Sequence, residues 1–401
     1  MTDTNIDALD LSPHWSLDAH ITYLNHGAFG AVPRRVQLHQ RALLDQIEQN
    51  PLRFFASTFQ KKLDHARAEF ADFLGTSPPH LAFLTNTTEG INAVLRSIDF
   101  EDGDEILLTD HTYPACLNAC RHIADQRNLT LRIVELPLPI DEPQQVTQAI
   151  IDAVTDATRL ALVDHITAFT AIRLPIDAII DALHQRGVLT LIDGAHGPGN
   201  IDLHLDDLDP TFYVGNAHKW LCAPRGSAFL RVTDDHLHRV RPLAISNGAS
   251  RPAGERSPFH LQFDWTGTAD RTPWLSIPEV LSFLPSLLPG GWPAIYRRNH
   301  ALALKARRRL LDRFPSTPLC PESMVTSAVA VDLPITDRPL PNPPFDPDPL
   351  QLRLAADHGI DVPIFCPLTP KRRLLRVSTH LYNGPQDLDR LLDALVQELD
   401  P

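Results

Sequence analysis

Two apolar runs of this chain end beside residues that become reactive when they are buried. Asp193 closes the run VLTLID, and Lys219 follows the next run in YVGNAHKWLCAPRGSAFL. Taken alone, such an aspartate is often a helix or turn cap, and a lone lysine is usually solvated. A lysine whose pKa is lowered by burial can attack an aldehyde, and a buried carboxylate can hold a heterocyclic nitrogen protonated. Together the two residues indicate covalent cofactor chemistry of this kind.

The elements that position these two residues are short strands separated by helices. Seven apolar runs alternate with helical stretches, at residues 80–85, 105–110, 131–136, 159–165, 188–193, 211–216 and 226–232. Nearly continuous apolar strands between helices predict an α/β fold with a mostly parallel seven-stranded sheet covered on both faces. Ligands of such sheets bind beyond the carboxyl ends of the strands, which is where Asp193 and Lys219 are expected.

The pattern changes after residue 275, and this change predicts two domains. Residues 1–22 read as an N-terminal arm, 23–275 as the large domain and 276–401 as a small α+β domain. The small domain begins with a long helical stretch. It also contains a proline-rich segment at 339–349 that is typical of an exposed loop.

The segments DGAHGPG and NAHKWLCAPRGSAFL resemble the class V branch of fold type I transferases, which depend on pyridoxal 5′-phosphate (PLP). Within that branch they are most similar to isopenicillin N epimerase-like proteins, beside cysteine desulfurases, selenocysteine lyases and cysteine lyases. The resemblance extends over residues 23–399. It implies that Lys219 binds the PLP aldehyde covalently and that Asp193 binds the pyridine nitrogen.

Other segments resemble the phosphate-binding parts of the branch. Thr87 and Thr88 lie in NTTEGINAV at a predicted helix start, where free N–H groups and the helix dipole favour a phosphate. The resemblance implies that Asn216 and His218 also reach this phosphate. It implies that Thr268, in FDWTGTADRTPW, reaches the cofactor of a second subunit. The active form is therefore expected to be a homodimer with shared active sites.

The resemblance also implies which side chains surround the cofactor ring. His111 matches a stacking histidine, with Tyr113 as the competing candidate for that position. Thr167 and His196 match residues near the cofactor's O3′ oxygen. Many relatives carry Ser after this Thr, whereas this chain has an Ala-Phe pair at 168–169, which leaves the reaction outcome open.

Three further residues are expected to bind the substrate. Arg376, in LLRVSTHLYNG, matches the arginine of the branch that binds an α-carboxylate, a task suited to a planar guanidinium. Asn25 and His26 are expected on the substrate side of the pocket. His26 is a candidate acid–base catalyst, with a purely structural role as the alternative. Cys366 is either a persulfide carrier or a packed thiol.

The expected reaction is removal of the Cα proton of a small-molecule amino acid by Lys219. A C–S lyase type of β-elimination is slightly favoured over isopenicillin N epimerase-like epimerisation, because epimerisation needs an acid on the opposite face. Desulfuration through Cys366, transamination and non-catalytic PLP binding are the alternatives.

The composition excludes some partners and favours a compartment. A net charge of −13 gives no electrostatic reason to bind nucleic acid or an anionic membrane. The apolar runs are shorter than a membrane span, and the start of the chain lacks a signal-peptide pattern, so a cytoplasmic location is expected. The five scattered cysteines predict reduced thiols, and no metal site is expected.

Overall fold

The computed structural model describes residues 9–252, 254, 256–334, 347–366 and 372–399. Its strands are β1 (Thr22–Tyr23), β2 (Leu81–Leu84), β3 (Glu105–Thr109), β4 (Thr130–Val134), β5 (Thr158–Asp164), β6 (Leu189–Gly194), β7 (Phe212–Asn216), β8 (Ala228–Val232), β9 (Ala328–Asp332), β10 (Ile360–Asp361), β11 (Ile364–Phe365) and β12 (Leu374–Ser378). Its α-helices are α1 (Arg34–Gln49), α2 (Pro51–Arg53), α3 (Phe59–Phe73), α4 (Thr87–Ser97), α5 (Pro114–Arg127), α6 (Pro143–Asp152), α7 (Ile176–His184), α8 (Leu205–Leu208), α9 (Asp234–Leu237), α10 (Pro258–Phe263), α11 (Thr272–Leu275), α12 (Ile277–Phe283), α13 (Gly291–Arg313), α14 (Pro349–His358) and α15 (Pro385–Leu399).

The central sheet has seven strands in the order β2-β8-β7-β6-β5-β3-β4. Only β8 runs antiparallel to its neighbours, and the pairs from β7 to β4 are parallel. Each of the seven apolar runs overlaps one of these strands. The predicted α/β fold with a mostly parallel seven-stranded sheet is therefore confirmed.

Alternating side chains of the inner strands enter two separate cores. In β5, Ala161 and Val163 pack into one core, whereas Leu160 and Leu162 pack into the other. Successive side chains of a strand point to opposite faces, so a sheet covered on both sides must be apolar at every position. This explains why the strands read as continuous apolar runs.

The C-terminal part forms a three-stranded antiparallel sheet in the order β11-β12-β9, packed with the long helix α13. The predicted small α+β domain is present. Strand β1 pairs in parallel with β10, so the chain around Thr22 lies against the C-terminal region. The described part of the arm is packed, because Trp15 is buried and its indole N–H donates to the carbonyl of Ala31 at 3.1 Å. The exact domain boundaries stay a prediction.

Most of the predicted proline-rich loop lies outside the described residues. In the part of the chain that the structure describes, no helix combines the length and the apolar character needed to cross a bilayer.

Candidate active site

Lys219 and Asp193 meet at the carboxyl edge of the central sheet, as the sequence predicts. Asp193 lies near the end of β6, and Lys219 follows β7, its parallel neighbour. Burial of the Lys219 amino group lowers its pKa to about 8, and the negative charge of Asp193 opposes part of this effect. About a tenth of an amine with this pKa is neutral at pH 7, far more than of an unperturbed lysine, and the neutral amine is the state that attacks an aldehyde.

The carboxylate of Asp193 is buried and receives two hydrogen bonds. The N–H of Ala195 donates to Oδ1 at 2.9 Å, and the Cys116 thiol donates to Oδ2 at 3.3 Å. Burial raises the pKa of Asp193, and the Ala195 N–H opposes this rise. The thiol of Cys116 stays protonated because burial, reinforced by Asp193, raises its pKa well above the usual range.

A second carboxyl group, Asp164, lies beside Asp193 on the neighbouring strand. The two residues are register partners in the parallel pair β5–β6, so their side chains point to the same face. Asp164 is buried, its Oδ2 has no partner among the described residues, and burial followed by the nearby Asp193 raises its pKa well above the usual range. Two adjacent buried carboxyl groups do not both ionise readily. The two hydrogen bonds to Asp193 stabilise its charged form, and the pKa of Asp164 is raised further, so Asp193 is the better candidate for the charged member of the pair.

The ring of His196 joins Lys219 to a tryptophan. Lys219 Nζ lies 3.2 Å from His196 Nε2, and the indole N–H of Trp220 donates to His196 Nδ1 at 3.1 Å. Burial lowers the pKa of His196 well below its usual range, so the ring is neutral. Because Nδ1 accepts from Trp220, the ring proton must sit on Nε2, where it faces Lys219.

One end of the site is the N-terminus of α4. Asn86 caps this helix by accepting the N–H of Glu89, so α4 begins at Thr87, at the predicted helix start. The Thr87 N–H donates to Asn216 at 3.0 Å, whereas the buried Thr87 hydroxyl has no partner among the described residues. Helix N-termini attract anions, and an unpartnered hydroxyl adds a donor.

The other residues predicted to reach the phosphate, Thr88, His218 and Thr268, differ in their burial and contacts. Thr88 is half-buried in the first turn of α4. His218 Nδ1 contacts the carbonyl of Ser227 at 2.8 Å, and burial lowers the pKa of His218 to about 4. Thr268 is exposed in the loop between α10 and α11 and does not line the cavity around Arg376. Its predicted contact with a second subunit stays a prediction.

His111 is the more enclosed of the two stacking candidates. Its ring is 2% exposed, Nδ1 lies 2.8 Å from a carboxylate oxygen of Asp110, and Nε2 has no partner among the described residues. Tyr113 is 40% exposed, and its ring centre lies 6.3 Å from that of Phe169. This arrangement favours His111 as the stacking residue and leaves Tyr113 at the rim of the site.

Arg376 lies in β12, the middle strand of the small sheet, and points toward the large domain. Its guanidinium donates to the carbonyl of Ala168 and, at 3.2 Å, to the side-chain oxygen of Asn25. Its Nε has no partner among the described residues. Burial lowers the pKa of Arg376 to about 10, so the group stays charged at neutral pH. A buried cation with an unused donor is suited to a carboxylate.

A small cavity brings Arg376 together with the residues predicted near O3′. It is lined by Gly27, Thr167, His196, Trp220, Arg376 and Ser378, among others. The Thr167 hydroxyl lies 2.6 Å from the Thr170 hydroxyl and accepts the N–H of Ile172 at 2.8 Å, which closes the loop after β5. The predicted O3′ neighbours and the predicted carboxylate anchor therefore share one space.

His26 is fully buried and engaged at both ring nitrogens. Nδ1 lies 2.8 Å from the Tyr382 hydroxyl, and Nε2 lies 3.1 Å from the backbone carbonyl of Lys219. Burial, reinforced by the stacked ring of His380, lowers the pKa of His26 well below its usual range. These contacts favour the structural alternative, in which His26 positions the Lys219 backbone.

His26, Cys222 and His380 form a compact buried group that has the composition of a metal site. However, His26 Nε2 faces the Lys219 carbonyl, and His380 Nε2 faces the Trp220 carbonyl at 3.2 Å. A ring nitrogen beside a carbonyl oxygen carries a proton and does not offer a lone pair to a metal. The group is better explained as a support for the backbone of residues 219–220.

The residues of this site fit PLP. The unpartnered Thr87 hydroxyl at a helix N-terminus suits a phosphate, and the enclosed His111 ring suits an aromatic plane. Buried Asp193 suits a ring nitrogen, and Lys219 suits an aldehyde.

Comparison with known proteins agrees with this assignment. The model of the family "Aminotransferase class-V" matches residues 22–319. An isopenicillin N epimerase of Amycolatopsis lactamdurans is 33% identical over 95% of this chain and 96% of its own length. A probable chloroplastic L-cysteine desulfhydrase of Arabidopsis thaliana is 25% identical over 94% of this chain and 83% of its own length.

A solved structure of a C-DES mutant, with glycine covalently linked to the PLP cofactor, has a TM-score of 0.79. It is 22% identical and covers 94% of this chain and 96% of that one, which establishes the likeness of fold. The family model spans well over half of the chain, and a relative above 30% identity spans nearly all of it. This chain therefore belongs to the class V aminotransferase family of PLP-dependent enzymes.

Proposed function

We propose that this enzyme removes the Cα proton of an α-amino acid and then expels a sulfur-bearing group from Cβ, as a C–S lyase does. The observation that carries the proposal is the convergence of Lys219, His196 and Arg376. Lys219 contacts His196, and His196 and Arg376 line the same cavity. A base and a carboxylate anchor thus lie on the same side of the site as the His196 ring, the base in contact with it and the anchor across a shared cavity.

Each of these residues has a role that follows from its surroundings. Arg376 binds the substrate carboxylate through its unused Nε donor and orients Cα toward Lys219. Lys219 acts as the base, because its lowered pKa makes the neutral amine available. The buried carboxylate of Asp193 would hold the ring nitrogen of PLP and keep it protonated. When bound, PLP supplies the electron sink for the pair released from the Cα–H bond.

The proposed reaction balances without an oxidant or a reductant. The Cα–H bond breaks and its proton moves to Lys219. The electron pair of the Cα–H bond forms a Cα–Cβ double bond as the Cβ–S bond breaks. The thiolate leaves with the electron pair of the Cβ–S bond and takes up a proton. The 2-aminoacrylate product reacts with water to give pyruvate and ammonium.

Epimerisation is the second candidate, because the Amycolatopsis relative is an isopenicillin N epimerase. Epimerisation requires an acid on the opposite face of Cα. His26 was the candidate for that role, and both of its ring nitrogens are already engaged by Tyr382 and the Lys219 carbonyl. This is why elimination is preferred.

We further propose that the enzyme is a homodimer whose subunits share active sites through Thr268. Thr268 is exposed and therefore available to a second subunit. Large apolar side chains are also exposed around α1, namely Phe29 before it (67% exposed), Leu38 within it (61% exposed) and Leu52 in α2 after it (81% exposed). Exposed apolar side chains are available to a second subunit.

We propose a cytoplasmic location for the enzyme. All five cysteines lie in the part of the chain that the structure describes, and no disulfide joins any two of them. Reduced cysteines are typical of a reducing compartment.

The reaction is tested by incubating the PLP-loaded protein with a panel of amino acids in D₂O. Pyruvate, ammonium and a thiol in equal amounts support the lyase, and recovered substrate that is deuterated and scrambled at Cα supports the epimerase. Alanine with a persulfide on Cys366 indicates a desulfurase, and a keto acid with pyridoxamine phosphate indicates an aminotransferase. If PLP is bound at Lys219 and no amino acid exchanges its Cα proton, the enzymatic proposal is wrong and non-catalytic PLP binding replaces it. The Lys219→Ala variant is the matched control for every product.

A further inference from the structure

A row of three aromatic rings runs from the carboxylate anchor to the surface. Phe365, at the end of β11, lies against Arg376, with the guanidinium carbon 5.0 Å from the ring centre. The rings of Phe365 and Phe169 meet edge to face with their centres 4.9 Å apart. Tyr113 continues the row at 6.3 Å from Phe169. We refer to Phe365, Phe169 and Tyr113 as the aromatic row.

The aromatic row is attached directly to the site. Phe169 follows Ala168, whose carbonyl accepts a hydrogen bond from Arg376. Tyr113 lies two residues after the enclosed His111, and its pKa is raised by burial, with smaller contributions from Cys116 and Asp193. The loops after β3 and β5 and the end of β11 therefore bring their aromatic residues to one edge of the site.

The ring farthest from the buried guanidinium of Arg376 is the most exposed of the three. Phe365 and Phe169 are half-buried, and Tyr113 is 40% exposed. Partly exposed aromatic clusters are costly in water and are typical of surfaces that bind an apolar group. The edge-to-face contact of the two phenylalanines fixes their orientation, so this surface exists before a ligand arrives.

A substrate bound as proposed is held at two points, its carboxylate at Arg376 and its Cα near Lys219. A side chain that extends from Cα toward solvent then passes along the aromatic row. We propose that the aromatic row binds this side chain, and that the enzyme acts on α-amino acids that carry an apolar group beyond Cβ, such as S-alkyl or S-aryl cysteines. This inference rests on the proposed function and adds the class of substrate.

The chemistry of the rings disfavours the alternative substrates. A carboxylate group on the side chain would lose its hydration against Phe169 and Phe365 without gaining a partner from either ring. Free cysteine or alanine would leave the row uncovered and gain nothing from it. A thioether or an aromatic ring would replace water on all three rings and gain the full apolar contact.

The test compares L-norleucine with L-alanine as probes of the PLP-loaded protein. Norleucine carries an apolar chain and has no leaving group at Cβ, so it reports binding and Cα–H exchange without being consumed by elimination. We expect kcat/KM for exchange in D₂O to be at least ~10-fold higher for norleucine than for alanine, since added methylenes in an apolar pocket each contribute roughly tenfold or more. L-glutamate, of similar length and charged, should exchange more slowly than norleucine.

Substitution in the row should remove this preference. Phe169→Ala should lower kcat/KM for norleucine by ~10-fold or more and change that for alanine by less than ~2-fold. Phe169→Leu keeps an apolar side chain and should retain most of the preference, which separates loss of the surface from loss of folding. Phe314→Ala removes another half-buried phenylalanine, at the end of α13, and should leave both values unchanged.

The inference is wrong if wild-type protein exchanges alanine as fast as norleucine, or if Phe169→Ala lowers both rates by the same factor while remaining folded. Calorimetric titration of both amino acids into the PLP-loaded protein separates this inference from the proposed function. Tighter binding of norleucine without Cα–H exchange of any amino acid would support the aromatic row and contradict the proposed reaction.

Discussion

The hydrogen bond from Trp220 to His196 leads to a prediction about the acidity of Lys219. The indole N–H occupies His196 Nδ1, and this fixes the ring proton on Nε2, 3.2 Å from Lys219 Nζ. An N–H directed at the lysine favours the neutral amine, which can accept it, over the ammonium, which cannot. Trp220→Phe keeps the apolar bulk and removes the indole donor. The ring proton can then move to Nδ1, and Nε2 becomes an acceptor that favours the ammonium.

The expected magnitude follows from the value of one hydrogen bond. A hydrogen bond of this kind contributes about 1 kcal/mol net, and 1.36 kcal/mol corresponds to one pKa unit. The pKa of Lys219, which burial lowers to about 8, should therefore rise by about one unit in Trp220→Phe. Because the neutral amine is the reactive form, the change appears as a higher pH requirement for covalent binding of PLP.

The assay measures how fast the PLP-free protein binds PLP covalently, and the reaction is monitored by visible absorbance. It is repeated at pH values between about 6 and 10, a range that brackets the lowered lysine pKa. For the wild type the rate should rise with pH through a midpoint near 8. Trp15→Phe is the matched control, since Trp15 is equally buried and donates over the same 3.1 Å, but to the carbonyl of Ala31. A midpoint that is unchanged or lower in Trp220→Phe, in a folded protein, would refute this role of Trp220.

Three further predictions concern the charges of the site and its assembly. Asp193→Asn should lower turnover by ~10²-fold or more, the scale expected when electrostatic stabilisation is lost. Asp164→Asn mimics a neutral acid and should lower turnover by less than ~10-fold. Equal losses in the two variants would contradict the assignment of the charge to Asp193. Arg376→Lys should raise KM by ~10-fold or more in steady-state kinetics, because an ammonium cannot bind a carboxylate bidentately, and an unchanged KM would remove Arg376 from the substrate site. Mixing inactive Lys219→Ala subunits with Thr268→Ala subunits should restore part of the activity if sites are shared, and a fully active monomer in sedimentation would exclude sharing.

The fold could be predicted because its strongest determinant is local. Strands buried on both faces must be apolar almost throughout, and the six strands of this kind were visible as runs in the sequence. The partly exposed edge strand β4 was visible as a run as well. The apolar positions of α15 recur with helical spacing, so its sequence alone indicates an amphipathic helix. The start of α4 was predicted at Thr87 and Thr88, whereas the capping side chain of Asn86 gives no periodic signal and was not identified. The pairing of β1 with β10 joins segments far apart in the chain, which local patterns do not reveal.

The site could be predicted in part, and the missing part depends on three-dimensional contacts. Lys219 and Arg376 lie in segments that resemble a known family, so the resemblance identified them. Asp164 ends a strand in the same way as Asp193, and this signal was present in ALVDH, but only the strand register shows that the two carboxyl groups are neighbours. The bond from Trp220 to His196 depends on the path of the backbone after β7, which no spacing rule gives.

The covalent attachment of PLP to Lys219 is the central claim, and chemical reduction tests it most directly. The protein loaded with PLP is reduced with borohydride, digested and mapped by mass spectrometry. We expect a pyridoxyl group on the peptide that contains Lys219. The Lys219→Ala protein, treated in the same way, should carry no pyridoxyl group on the corresponding peptide. A pyridoxyl group found instead on any other lysine of the wild-type protein would contradict attachment at Lys219.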